Sequence, residues 1–433
     1  MPIFDIVLEK QNGTEISFPY DTSRSLIDNA ELDFGIFGEL FVPKFYEVSD
    51  VVSRQNPGIK SKASRRIKIS LGLACNRSCS YCNQAVERMG ADTSRIADAK
   101  HFLKNLNSWW DGGSDGIGGD TKFEFWGGEP LLYWGKIKLL AETIRTYWPN
   151  VSFSMISNGD LLDVEKIEWL DKMGFSVGIS HDGPGQHLRG GDPLDDPDRR
   201  AAIKLLMQTL EPKGLFSFNC VLTSQQYSLV KVEQWIAGKL GVKTVPLVTE
   251  GLMLPYDTSG MMLSPKADEH DLIYQTLFSE LIEGSGYRNI SIWNITRDFI
   301  SGLKGRRPIT SVGQKCGMDR SDNISVNLKG QVFTCQNTGT VDHLMGNVDD
   351  IENVKLTRAT HHSLRKECRT CPVVHLCKGA CMFLDGEKFQ QACDNSFTYY
   401  SAILAGAFYH MSDGGILKTV SISDGSSIRN QLN

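Results

Sequence analysis

The sequence predicts an α/β protein: a parallel sheet wound with helices, preceded by a short N-terminal extension and followed by a cysteine-rich region. Three observations carry that expectation. Strand-like and helix-like stretches alternate about six times between Ile67 and Leu247. The unusual loop sequences in that run all follow strands, where parallel sheets place functional loops. All but one of the 11 cysteines fall into two groups instead of being scattered.

Composition bounds the rest. At roughly 100–200 residues per domain, 433 residues allow two or three domains. A hydrophobic content of 41% with 22% charged residues excludes wholesale disorder. The net charge of −5 offers no global positive field, so no nucleic-acid partner is expected. No stretch approaches the roughly 18 apolar residues of a membrane helix, so no membrane partner is expected either. The N-terminus, Met1-Pro2-Ile3-Phe4-Asp5, lacks the basic and apolar segments of a secretory signal, and a cytoplasmic location is expected.

Element by element, residues 1–62 read as an N-terminal extension that could bind a peptide. Ile3–Leu8 and Glu15–Phe18 read as strands about the Asn12-Gly13 turn. Asp33–Tyr46 is aromatic and apolar, and Ser53–Arg66 reads as a linker. The core, residues 63–310, opens with the strand Ile67–Leu71, a cysteine loop and a helix to about Asn107. Gly112–Gly119 reads as a flexible loop. Strands are expected at Phe123–Trp126, Val151–Ile156, Ser176–Ser180, Phe216–Leu222 and Lys243–Leu247, with helices between them. Helices are also expected near Ala267–Glu283 and Ile290–Leu303. Residues 311–411 hold short strands, a hairpin at Lys329-Gly330, seven cysteines and a final apolar helix over Ser396–Tyr409. The Ser- and Gly-rich residues 412–433 read as a mobile tail.

The cysteines carry the chemistry. In a reducing cytosol, thiols clustered this way are metal ligands and not disulfides. Cys368-x2-Cys371 and Cys377-x3-Cys381 could each be half of a zinc site. Cys75-x3-Cys79-x2-Cys82 has no fourth Cys or His close by, which favours an iron–sulfur cluster with one open iron over closed structural zinc.

Cys75-Asn76-Arg77-Ser78-Cys79-Ser80-Tyr81-Cys82 resembles the CxxxCx(aromatic)C motif of radical SAM enzymes, and Gly127-Gly128-Glu129-Pro130 resembles that family's GGEP motif. Each follows a strand, in the family's order. The resemblance spans about residues 65–250 and implies a partial (β/α)6 TIM-like barrel. The later pattern is Cys316-x13-Gly330-x4-Cys335, then Cys368-x2-Cys371-x5-Cys377-x3-Cys381, then Cys393. It resembles the SPASM extension, which carries two auxiliary clusters.

The resemblance implies that Cys75, Cys79 and Cys82 hold a 4Fe-4S cluster whose open iron binds S-adenosylmethionine (SAM). It implies SAM contacts from Gly127, Gly128 and Glu129, from Ser157 and Asn158 at the ribose, and from Ser180, Asp182 and Arg189, with Tyr81 helping to exclude water. Arg189 is the candidate clamp for the methionine carboxylate. His181 and His187 read as hydrogen-bonding scaffold, Cys220 as a small buried residue, and Trp109-Trp110 as packing. By the same pattern Cys316, Cys335 and Cys381 would hold a nearer auxiliary cluster, and Cys368, Cys371, Cys377 and Cys393 a farther one. Seven thiolates leave one of the eight positions open. Relatives that convert a sulfatase Cys or Ser to formylglycine carry an Asp base directly after the Gly-x4-Cys cysteine. Here that position is Gln336, a neutral amide that cannot take a proton.

The implied function is modification of a ribosomally made precursor peptide, installing a C–C or thioether crosslink. The alternative is a sulfatase-maturing type of side-chain dehydrogenase. A flavodoxin- or ferredoxin-type protein is expected as electron donor, and the sequence names no general base. Anaerobic reconstitution should load about 12 irons per chain, the content of three 4Fe-4S clusters. Zinc without iron, read by metal analysis, would refute this.

Overall fold

The computed structural model describes residues 1–85, 94–113, 115–255, 258–339 and 341–422. Its first three strands, β1 (Ile3–Glu9), β2 (Glu15–Asp21) and β3 (Leu26–Ile27), form an antiparallel sheet. Strict alternation puts Phe4, Ile6 and Leu8 with Ile16, Phe18 and Tyr20 on its buried face. That face packs on helices of the main body: Phe18 meets Phe408 edge-on at 5.4 Å, and Tyr20 meets Phe299 at 6.2 Å. The aromatic stretch that follows is only partly inward. Phe37 packs between Tyr287 and Trp293, whereas Phe41 is 84% exposed.

The expected linker is anchored instead. It contains β4 (Gly58–Ile59), and Lys60 just beyond is buried. The Lys60 ammonium donates to the carbonyls of Met318 (2.7 Å), Arg320 (2.9 Å) and Asn323 (2.7 Å), which belong to the loop after Cys316. A composition rich in Lys and Arg reads as solvated until those carbonyls are known.

From there the chain alternates as expected. The strands are β5 (Arg66–Ser70), β6 (Lys122–Trp126), β7 (Ser152–Ser157), β8 (Phe175–Ser180), β9 (Phe216–Leu222) and β10 (Leu247–Leu252). All are parallel, each paired with the next. The helices between them are α1 (Ile96–Trp109), α2 (Trp134–Tyr147), α3 (Val164–Lys172), α4 (Pro197–Leu210) and α5 (Leu229–Leu240). The chain between the cysteine loop and α1, residues 86–93, lies outside the described residues. Asp163, Asp196 and Ser228 accept backbone N–H groups and so fix where α3, α4 and α5 begin. The last strand starts at Leu247, where the sequence places its end. Pro246 has no N–H to give, while its carbonyl accepts from Phe218 N at 2.7 Å, so the ladder runs on from there. The Gly112–Gly119 stretch is seated and not free: a Cβ on Gly118 would lie 2.3 Å from the Val151 side chain, and Asp115 accepts from the N–H groups of Ile117 and Gly119. Residue 114 lies outside the described residues.

Three more helices follow: α6 (Thr258–Met262), α7 (His270–Ile282) and α8 (Ile290–Lys304). The cysteine-rich region then extends the same sheet. Strand β11 (Asn323–Asn327) lies parallel to β5, with Ile324 opposite Ile67, and β12 (Gln331–Phe333) and β13 (Leu344–Asn347) continue it antiparallel. The result is an open nine-stranded sheet in the order β10-β9-β8-β7-β6-β5-β11-β12-β13, a partial barrel left unclosed. Strand β14 (Lys355–Leu356) pairs with β4, and the short α9 (Val374–Cys377) precedes α10 (Gly386–Met411). The last helix begins ten residues before the apolar run that marks it in sequence, because its first turns carry polar residues together with Cys393.

The expected mobile tail is in part a strand. β15 (Ile416–Ile422) runs antiparallel to β1, with Ile422 opposite Phe4 and Val420 opposite Ile6. Its Ser- and Gly-rich flanks hide it, since the pairing partner is some 400 residues away in sequence. Residues 423–433 lie outside the described residues. Among the described residues no helix is long and apolar enough to cross a membrane.

Lys60→Met removes three buried donors at once and leaves their carbonyls unsatisfied. It should lower stability by about 2 kcal/mol or more, read as a fall in the denaturation midpoint of the reconstituted protein. An unchanged midpoint would show that water replaces the ammonium.

Candidate active site

The cysteine loop is positioned first by backbone. After β5 the chain keeps pairing with the end of β6: Leu71 N donates to Trp126 O (2.8 Å), Gly128 N to Gly72 O (3.0 Å), and Glu129 N to Ala74 O (2.9 Å). A Cβ on Gly127 would stand 2.4 Å from the Gly72 carbonyl oxygen, and one on Gly128 2.3 Å from that of Ala74. The glycine pair therefore lets the loop itself approach. Gly72 has φ +138° and abuts Tyr133, whose hydroxyl accepts from Ala74 N at 2.8 Å.

Side chains then tie the loop to the ends of the next strands. Glu129 is buried and accepts from Leu131 N (3.0 Å), Ser157 Oγ (2.7 Å) and Asn158 N (2.8 Å). Burial pushes its carboxyl pKa up, against those donors. The Asn158 side chain donates to Asn76 Oδ1 (2.7 Å) and accepts from Asp160 N (3.0 Å). Arg77, inside the cysteine motif, forks onto Asp160 through Nε (2.7 Å) and Nη2 (2.6 Å), both side chains being largely buried.

The fourth strand end supplies a second cluster. Tyr81 donates to Asp182 and accepts from Arg189 Nη1 at 2.8 Å. Asp182 also accepts from Val221 N (3.0 Å). Burial raises the Tyr81 hydroxyl pKa well above its ordinary value. Burial opposes the charge on Arg189, but Tyr81 and Asp182 beside it hold the guanidinium firmly protonated. Its Nε is buried and has no partner among the described residues. His181 is scaffold: Nε2 meets Asp192 Oδ1 at 2.9 Å and Nδ1 accepts from Gly183 N. His187 bonds Pro184 O and Gln225. Cys220, Trp109 and Trp110 are buried in the core.

A cavity of about 480 Å³ opens between these strand ends and the cysteine-rich region. Cys75, Cys79 and Cys82 line it, and so do Cys316, Cys335 and Cys381. Of the SAM contacts implied by the sequence, Tyr81, Gly127, Gly128, Glu129, Ser157, Asn158, Ser180 and Arg189 are in its wall. Asp182 is not: turned inward to cap Val221 N, it acts on the cavity through Tyr81 and Arg189. Cys368, Cys371, Cys377 and Cys393 are buried away from the cavity.

The donor chemistry fits iron–sulfur clusters. All 11 cysteines are thiols outside disulfides. Backbone N–H groups point at sulfur: Arg77 N at Cys75 Sγ (3.4 Å), Asn337 N at Cys335 Sγ (3.4 Å), Ala380 N at Cys377 Sγ (3.2 Å). Lys378, Gly379 and Ala380 all have positive φ, which coils the backbone so that its amides face Cys377. Burial, with Cys316 and Cys381 beside it, pushes the Cys335 thiol up to about 12, a cost that metal coordination would reverse by deprotonating it.

Several residues of the site carry no motif. Tyr133 and Asp160 are recognisable only once the loop is built. Glu250 on β10 and Lys68 on β5 also line the cavity. Lys68 had a signal, a lysine between the core residues Ile67 and Ile69.

Residues 69–206 match the model of the radical SAM superfamily. The chain is similar to the serine-type anaerobic sulfatase-maturating enzyme of Klebsiella aerogenes, 23% identical over 359 residues, which are 77% of this chain and 84% of that protein. It is also similar to the radical SAM cyclopropyl synthase TigE of Paramaledivibacter caminithermalis, 21% identical over 388 residues, 83% of this chain and 78% of that one. Its fold is that of the solved structure of native anSMEcpe with bound AdoMet and Cp18Cys peptide: TM-score 0.53, 18% identity, 79% of this chain and 98% of that one. Residues 69–206 thus form a radical SAM domain, the chain is an enzyme, and its cysteine-rich C-terminal region is consistent with the SPASM type.

Proposed function

We propose that the chain is a peptide maturase that uses three 4Fe-4S clusters to install an oxidative crosslink, C–C or thioether, in a ribosomally made precursor peptide. The observation that carries this is the single cavity walled at once by Cys75, Cys79 and Cys82 and by Cys316, Cys335 and Cys381. A substrate held there touches the surroundings of both groups. Cys75, Cys79 and Cys82 would hold the cluster that binds SAM, and the pair would supply radical chemistry for taking a hydrogen atom from the substrate.

The chain's own residues bind, orient and take up a proton. Arg189, pre-charged and with Nε unused, clamps the methionine carboxylate. Ser180 stands beside it in the wall. Leu252, Met253 and Phe383 make an apolar side that excludes water. Glu250 is the proton acceptor. Of the two cavity-wall carboxylates among the described residues, Glu129 already accepts three hydrogen bonds, whereas no bond to the Glu250 carboxylate is recorded. Lys315, next to Cys316, donates to the Glu250 carbonyl at 2.6 Å, so the Cys316 loop and the Glu250 backbone are fastened together. A flavodoxin- or ferredoxin-type protein supplies the electron that starts the reaction.

The second reading is a side-chain dehydrogenase of the sulfatase-maturing kind. The match to such enzymes over 77% of the chain favours it, and the neutral Gln336 beside Cys335 speaks against it. The two are separated by anaerobic incubation with SAM, dithionite and either a short peptide encoded beside this gene or a sulfatase-motif peptide, read by mass and fragmentation. A crosslink in the first supports the maturase; aldehyde formation in the second replaces it. With the accepted peptide, Glu250→Gln should leave 5′-deoxyadenosine formation in place while product falls about 100-fold or more. Undiminished product would assign the proton to another group.

A further inference from the structure

Lys68 is a buried cation that makes no ion pair within 4 Å among the described residues. It sits on β5 between the core residues Ile67 and Ile69, its side chain turned to the opposite face and into the cavity, and it is 5% exposed. Its one recorded bond is from Nζ to Gln336 Oε1 at 3.1 Å. A lysine can only donate, so the amide oxygen must be the atom that faces it, and the partner stays neutral. Among the described residues no carboxylate pairs with Lys68. Lys68 acts electrostatically on Lys60 and Lys122, of the same sign, and on the thiols of Cys316 and Cys335. Charges buried in proteins are paired or serve a bound group. Glu124, opposite Lys68 on β6, sets its carboxylate 3.9 Å from Arg66, so the groups of opposite tendency in the cavity wall that feel Lys68 are thiols of the nearer auxiliary set.

We propose that Lys68 is a positioning residue for the nearer auxiliary cluster, its positive charge raising that cluster's reduction potential, with Gln336 holding the ammonium in place without neutralising it. The inference rests on the reading that Cys316, Cys335 and Cys381 hold a cluster. A cluster becomes more negative on reduction, and a fixed cation in a poorly solvated site stabilises the reduced form. A carboxylate at position 336 would stand within hydrogen-bond reach of Lys68 and cancel its charge. The amide preserves both the contact and the charge. The potential so raised suits a group that receives the electron a substrate gives up.

The test is an anaerobic redox titration, followed by electron paramagnetic resonance, of the full reconstituted chain and its variants. Lys68→Met deletes the charge, Gln336→Glu neutralises it with the lysine retained, and Lys68→Arg keeps it. The first two should move one auxiliary midpoint to more negative potential by about tenfold in the reduction equilibrium, ~59 mV for one electron, and leave the other midpoints in place. Lys68→Arg should restore most of the shift. Should Lys68→Met fail to fold or load iron, Gln336→Glu decides alone. A loaded auxiliary cluster whose midpoint ignores both changes overturns the role of Lys68 while leaving the cluster reading intact. Wild-type protein with one cluster only overturns both.

Discussion

Two glycine residues with nothing in place of a side chain hold the site in register. Gly127 and Gly128 lie against the Gly72 and Ala74 carbonyls so closely that any Cβ would enter the oxygen's own volume. The contact lets β6 go on pairing beyond the sheet proper, so the loop that carries Cys75, Cys79 and Cys82 is the continuation of a ladder and not a free excursion. Everything beyond is built on that seam. Glu129 follows it and draws in Ser157 and Asn158; Asn158 reaches Asn76; Arg77 reaches Asp160. Three strand ends are thereby joined through the cysteine loop by short hydrogen bonds, most of them shielded from water, where such bonds are strong and costly to leave unmade.

The second constraint is the pairing of β11 with β5. It makes the cysteine-rich region an extension of the main sheet instead of an appended knot. One strand thus serves both halves: β5 leads into the first cysteine group and, through Lys68, reaches the second. The farther cysteines are fastened differently. Cys393 rides on α10, whose buried face crosses the body of the protein, and Cys377 ends α9 against a coil of left-handed backbone.

Much of this was legible in the sequence, and for physical reasons. Strands that bury one face announce themselves by alternation, as in Phe123-Glu124-Phe125 and Phe216-Ser217-Phe218, so β5 to β9 fall within a residue of where the pattern puts them. The cysteine spacings and the GGEP loop are local, and local geometry is what a sequence writes down most directly. What escaped is what depends on distant partners. The role of Asp160 needs Arg77 in place, 83 residues earlier. Lys60 looks like a linker residue until three carbonyls from about 260 residues away close on it. The strand expected over Lys243–Leu247 lies later, because Pro246 has no N–H to give to the ladder and β10 starts at Leu247. Asp182 was assigned to the cavity by its position in a motif, and the cap it gives Val221 N turned it away.

The pairing of β15 with β1 has a consequence for how the protein is made. The N-terminal sheet leaves the ribosome first, yet its outer edge stays open until residues near 422 have been synthesised. By then every cysteine, from Cys75 to Cys393, has already emerged. Until β15 is in place, a nascent chain still waiting for its metal presents an unpaired β1 edge, the kind of exposed edge that invites wrong pairing.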